Sequence, residues 1–237
     1  MKILGIESSS MVASVALVTE DVVEAEYTVC HKKTHSQTLL PMLDEIVKMT
    51  ETELSQLDAI AVSGGPGSFT GLRIGSATAK GLGLALNKPL IHIPTMDAMA
   101  YQIMGGDSYI VPMMDARRTQ VYSGIYENQQ EFIIHRGQTL ALIADVVEEL
   151  NSLGKPVILL GDGLDVNLAY VKEHLQVPYQ VAPVHCNRPR AAAVASLGLS
   201  YMKEGKVEEA REHLPDYLRA SQAEREREAK LKEEAHG

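Results

Sequence analysis

A strand that empties through glycines onto a helix start suits a phosphate, because free backbone N–H groups and the helix dipole both face the anion. The segment Gly64-Gly65-Pro66-Gly67-Ser68-Phe69-Thr70-Gly71-Leu72-Arg73-Ile74-Gly75 has this form. It lacks the Gly-x-x-x-x-Gly-Lys-[Ser/Thr] of a P-loop, and Thr70 stands where a dinucleotide fingerprint needs glycine. A tight strand-to-helix connection without a ligand is the competing reading. Glu7, before the serines at 8, 9 and 10, and Asp115, in what reads as the matching turn of a second half, are strand-end carboxylates that could handle magnesium and water. Glu7, Ser8, Gly64, Gly65, Gly67 and Asp115 are therefore the candidate nucleotide-cleft residues. Weak ATP or ADP with magnesium, in the cleft or at an interface, is the cofactor they would admit. A strand-end acid before serines also serves simply as a turn residue.

The helix after the loop carries a second pattern. Gly71, Gly75, Ala79 and Gly83 recur every four residues and share one face. A glycine inside a helix costs about 1 kcal/mol relative to alanine, so three on one stripe imply that something approaches closely. Arg73, Lys80 and the polar flanks exclude a membrane helix. The stripe packs on the chain's own sheet or on a partner's helix, and spacing alone leaves both open.

Other chemistry is sparse. His31 and His35 have the spacing of two ligands on one helix face, but they precede the expected helix and no Glu follows His31. His92, His135, His174, His185, His213 and His236 are scattered without ligand spacing. Cys30 and Cys186 are isolated, which suits reduced structural thiols better than a disulfide framework or a zinc site. There is no Gly-x-Ser-x-Gly elbow. No catalytic residue and no metal site are expected.

The elements that would position these residues repeat. Strands are expected at 2–7, 12–18 and 22–29, a helix over 36–49 with Ser36 as N-cap, a strand at 59–63, a helix over 70–86 ended by Asn87 and Pro89, a strand at 90–93 and a helix over 95–104. The order then restarts: strands at 109–114, 119–126 and 132–135, a helix over 142–153, a strand at 157–160 and the loop 161–163. Glu7 corresponds to Asp115, and Gly64-Gly65 to Gly161-Asp162-Gly163. Two α/β lobes of strand-strand-strand-helix-strand-helix form the arrangement of the actin, sugar-kinase and heat-shock ATPase fold. The expected division is an N-terminal lobe, 1–104, a C-terminal lobe, 105–220, and a charged, flexible tail, 221–237.

Composition sets the outer limits. With 237 residues, 45% of them hydrophobic and 22% charged, the chain can bury a full core. A net charge of −9 offers no broad basic field for RNA, so any tRNA contact is expected through other subunits. The start lacks a basic, cleavable leader and no apolar run spans a bilayer, which points to the cytoplasm and away from membranes.

Residues 65–75 with Ala79-Lys80-Gly81-Leu82, the opening Ile3-Leu4-Gly5-Ile6-Glu7-Ser8-Ser9, His35-Ser36 through Leu39-Leu40-Pro41, Pro112-x-x-Asp115-Ala116-Arg117-Arg118 and Tyr217-Leu218-Arg219 together resemble the TsaB (YeaZ) family. Glu7 departs from the aspartate of many members. The resemblance implies a non-catalytic, actin-like subunit of the tRNA threonylcarbamoyladenosine system. It would pair with the catalytic paralogue TsaD, act with a TsaE-like ATPase, and self-associate as a homodimer when alone. It also implies that the metal-holding His-x-x-x-His of TsaD is replaced here by Thr95 and Met99, which argues against the older glycoprotease reading. Because the family's dimer contact uses helices of the first lobe, Gly71, Gly75, Ala79 and Gly83 become interface candidates. An autonomous actin-like ATPase or phosphotransferase is the alternative, and a metallopeptidase the least favoured.

Overall fold

Two five-stranded sheets with the same strand order organise the chain, in a computed structural model that describes residues 1–31 and 34–219. The first sheet holds β1 (Lys2–Glu7), β2 (Val12–Thr19), β3 (Val23–Cys30), β4 (Ala59–Gly65) and β5 (Leu90–Pro94), in the order β3-β2-β1-β4-β5. The second holds β6 (Tyr109–Asp115), β7 (Gln120–Asn128), β8 (Phe132–Leu142), β9 (Val157–Leu160) and β10 (Tyr179–Val181), in the order β8-β7-β6-β9-β10. Substituting each strand by its counterpart five numbers on converts one order into the other. The duplication inferred from element order is therefore present in the topology.

In each sheet the first three strands pair antiparallel through short turns, whereas the fourth and fifth join in parallel. Parallel neighbours need a crossover long enough to hold a helix. Here these are α1 (His35–Met49) and α2 (Phe69–Leu86) in the first lobe, and α4 (Ile143–Leu153) and α5 (Asp162–His174) in the second. The central strands β1 and β4 are covered on both faces, which explains their nearly unbroken apolar runs.

The remaining helices close the opposite faces, and they are exchanged. α3 (Thr95–Tyr101) leaves the first sheet and packs chiefly on β6, β7 and β8, while α6 (Ala191–Lys203) leaves the second and packs on β1, β2 and β4. Four apolar clusters result, one on each face of each sheet. α6 lies so close to the first sheet that a Cβ on Gly5 would stand 2.3 Å from the Ala191 carbonyl oxygen. Strands β1 to β5 form one sheet and β6 to β10 the other, while α3 and α6 each pack on the sheet of the opposite half.

Several boundaries differ from expectation for local reasons. Thr34 occupies the N-cap position of α1, so Ser36 lies inside the first turn and does not cap it. The helix expected over 95–104 ends at Tyr101, where Gln102 takes the C-cap. β8 runs seven residues beyond His135, because it is a half-exposed edge strand whose mixed sequence carries no alternation to read. Beyond α6, residues 204–219 form an irregular strap over the first lobe, tied to β5 by an isolated bridge between Leu90 and Glu208. The charged tail expected at 221–237 lies outside the described residues. Among the described residues no helix is long and apolar enough to cross a membrane.

Candidate functional site

The corner where β1, the glycine loop and α2 meet gathers most of the residues singled out from the sequence. Glu7 ends β1 with no exposure. Its Oε1 accepts hydrogen bonds from the Ser9 amide and hydroxyl, both at 2.6 Å, and the Ser63 hydroxyl donates to Oε2. Burial pushes its carboxyl above the ordinary 4.5, against those hydrogen bonds, which work to lower it. The Ser8 hydroxyl donates to the Gly71 carbonyl at 2.9 Å, and the Ser68 amide donates to the Ser9 carbonyl at 2.6 Å. The serine turn is thus inserted into the start of α2.

This insertion explains the glycine stripe. A Cβ on Gly71 would lie 2.0 Å from the Ser8 carbonyl oxygen, one on Gly75 2.2 Å from Ser8 Oγ, and one on Gly67 2.3 Å from the Ser9 carbonyl oxygen. Further along, Ala79 is fully buried among the residues of the first sheet, and a Cβ on Gly83 would stand 2.8 Å from Cβ of Ala210 in the strap. Of the two readings left open by spacing, packing on the chain's own fold is the one realised. As partner-interface candidates Gly71, Gly75, Ala79 and Gly83 are therefore corrected: every one is buried inside this chain. The exposed side of α2 carries Arg73, Ala77, Gly81, Leu84 and Ala85, beside α1 with its exposed Leu40 and Pro41.

The glycine loop is likewise packed against other parts of the chain. A Cβ on Gly64 would fall within 2.0 Å of the His92 ring, and one on Gly65 within 2.3 Å of the Asp216 carbonyl oxygen. The Asp216 amide donates to the Gly64 carbonyl at 2.6 Å, and Gln138 Nε2 donates to the Gly65 carbonyl at 3.0 Å. Side chains and carbonyl oxygens of the chain itself thus stand against the loop, and carbonyl oxygens repel phosphate. Gly65, at φ 118°, holds a conformation that favours glycine. Asp115 is exposed at the end of β6, accepts a hydrogen bond from the Arg117 amide at 2.7 Å, and its own amide donates to Asp162 at 3.0 Å. Glu7 and Asp115 hold equivalent topological places, but one is sealed and the other open.

Thr95 and Met99, which stand where the family resemblance puts two metal-holding histidines, are both fully buried in α3. Between them in sequence, Asp97 accepts hydrogen bonds from Tyr126 at 2.8 Å and Tyr201 at 3.3 Å, joining α3, β7 and α6. Burial raises the Asp97 carboxyl and both phenols.

The strap crosses the same corner. Lys80 Nζ donates to the carbonyls of Arg211 at 2.8 Å and His213 at 3.0 Å, Tyr217 packs on Phe69 with ring centroids 4.4 Å apart, and Arg219 reaches the Ala116 carbonyl of the second lobe. It also assembles a cluster invisible to spacing: His92 of β5 with Glu208 and His213 of the strap, whose ligand atoms all lie within 4.8 Å of one another. These histidines, 121 positions apart by number, read as scattered in the sequence. The chance to find them lay in the bridge that lays Glu208 on β5, which no periodicity announces.

Two equivalent mixed sheets, each closed by a helix contributed from the other half, define a two-lobed α/β protein of the actin-like class. Residues 28–227 match the family model TsaD: tRNA N6-adenosine threonylcarbamoyltransferase. The chain is 32% identical over 226 residues to the tRNA threonylcarbamoyladenosine biosynthesis protein TsaB of Bacillus subtilis, covering 94% of this chain and 96% of that one. It is 33% identical over 167 residues to TsaB of Escherichia coli, covering 69% and 72%. YeaZ from Pseudomonas aeruginosa superposes with a TM-score of 0.74 at 28% identity, over 92% of this chain and 99% of that one. The chain belongs to the TsaB family.

Proposed function

We propose that this protein serves tRNA threonylcarbamoyladenosine biosynthesis as a non-catalytic subunit, by binding a TsaD-like catalytic paralogue through the outward side of α1 and α2. Family membership supplies the pathway. The observation that carries the docking reading is the character of that side. Leu84 and Leu40 are 61% and 54% exposed, and Ala77, Gly81 and Ala85 lie exposed one turn apart along α2. A Cβ on Gly81 would meet nothing within 4 Å, so the smallness there answers no need of this chain's own packing. Small residues on an exposed helix face let a partner's helix approach closely, and exposed leucines supply area to bury.

The non-catalytic reading is supported by the buried Thr95 and Met99 and by the closed glycine loop. In this scheme a TsaE-like ATPase joins the complex, tRNA is held through the other subunits, the free chain self-associates through the same helices, and the protein works in the cytoplasm. Nucleotide with magnesium, if bound, belongs near the open Asp115 or at a subunit interface. The test is co-purification with the cognate TsaD-like protein, comparing the wild type with Gly81→Arg. We expect the variant to keep its fold and lose the partner; an undiminished complex would overturn the assignment of this face.

A further inference from the structure

The His92, Glu208 and His213 cluster has no part in the docking scheme, and its geometry asks for an explanation. His213 has a side chain with no exposure, its Nδ1 lies 2.6 Å from Glu208 Oε1, and its Nε2 is buried without a hydrogen-bond partner. Leaving a polar atom of that kind unpaired costs about 1–3 kcal/mol, so such atoms ordinarily have a use. The His92 and His213 rings are 5.6 Å apart, and His92 Nε2 lies 3.3 Å from a carboxylate oxygen of Asp216. Two imidazoles and the Glu208 carboxylate thus converge at the edge of the first sheet, with the Asp216 carboxylate beside His92.

We propose that His92, His213 and Glu208, with Asp216 at the rim, bind a divalent transition-metal ion of the zinc class, which clasps the strap onto β5 and the glycine loop. Imidazole and carboxylate are the donors zinc takes in four-coordinate sites, at about 2.0–2.2 Å. Ligand atoms already within 4.8 Å of one another need close by only about 1–1.5 Å to reach the separations of a tetrahedron of that size. Glu208 can serve directly or hold the second nitrogen of His213, the arrangement that orients metal-bound histidines. The carboxylates of Glu208 and Asp216 offset the cation, whereas the Lys80 ammonium, held on the His213 carbonyl, opposes it. That balance favours a divalent ion over a more highly charged one. The site is separate from Thr95 and Met99, and it fastens a segment in place without touching any reacting group.

The experiment is metal analysis of the full-length chain, stripped with chelator and then titrated with Zn(II) or Co(II). We expect one equivalent per chain, a tetrahedral Co(II) visible spectrum, and a rise in Tm of about 5–10 °C once the metal is at roughly a hundred times its Kd. His213→Gln should abolish all three readouts, and Glu208→Gln should weaken affinity about 10- to 100-fold. If His213→Gln does not fold, His92→Gln, whose side chain is a quarter exposed, makes the same test. No stoichiometric binding by the wild type, or binding that persists in His92→Gln, would overturn the proposal.

Discussion

Glu7 shows how a residue suited to one chemistry can be committed to another. Its carboxyl is sealed by Ser9 and Ser63, and burial raises it above 4.5. Below that value both the folded and the unfolded chain hold the proton. As pH climbs from 4.5 towards the raised value, the unfolded chain releases it first, so the stability Glu7 contributes is progressively lost. Glu7→Gln, which cannot ionise, should therefore gain on the wild type between pH 4.5 and pH 8, read as the difference in urea midpoints at the two pH values. A constant difference would contradict the burial argument. The glycines divide in a similar way. Gly75→Leu must displace Ser8 and should cost about 3 kcal/mol or more, unfolding the corner before any partner is considered. Gly81→Ala has open space and a helical backbone, and should stabilise by about 0.5–1 kcal/mol in the same denaturation assay. The sequence showed both glycines, and four-residue spacing favoured the stripe that turned out to be internal. Spacing reports which residues share a face and cannot report which face meets solvent.

At the level of elements, the exchange of α3 and α6 makes the two lobes depend on each other. Asp97 of α3 is the shared acceptor for Tyr126 of β7 and Tyr201 of α6, so the contact spans both sheets. Tyr126→Phe keeps the ring and removes the donor, leaving a buried carboxyl short of a partner. We expect a loss of about 1–3 kcal/mol in thermal or urea unfolding, with both lobes still melting together. Separate transitions in the variant would mean that the exchanged helices do not couple the lobes. Strand and helix order was legible because β1, β4, β6 and β9 are short apolar runs between turn residues, and because α2 carries a strong Asn87 and Pro89 stop. The exchange was not legible. Which sheet a helix covers depends on apolar faces that α3 and α6 both possess, and nothing in either segment distinguishes one sheet from the other.

For the whole molecule, the strap is the feature that sequence reading left unassigned. It runs along β5, over α2 and the glycine loop, and on to the second lobe at Ala116, joined by backbone hydrogen bonds at Leu90 and Gly64 and by the Lys80 and Arg219 side chains donating to main-chain carbonyls, with no recognisable motif. A chain cut after Gly205 should therefore lose protection in residues 64–71 by hydrogen exchange and lower the Tm, because Leu90 and the loop lose their cover. Unchanged exchange there would show that the strap is an ornament. The same closure directs attention away from an internal catalytic cleft and towards the exposed sides of α1 and α2, where Leu40, Gly81 and Leu84 face solvent. The most direct measurement is threonylcarbamoyl transfer to tRNA by the reconstituted TsaD-like and TsaE-like proteins, assayed with no added chain, with wild type and with Gly81→Arg. Transfer is expected only when wild type is present, with the chain inactive by itself and the folded variant failing to support the reaction. Transfer by this chain alone, or full support from Gly81→Arg, would contradict this expectation.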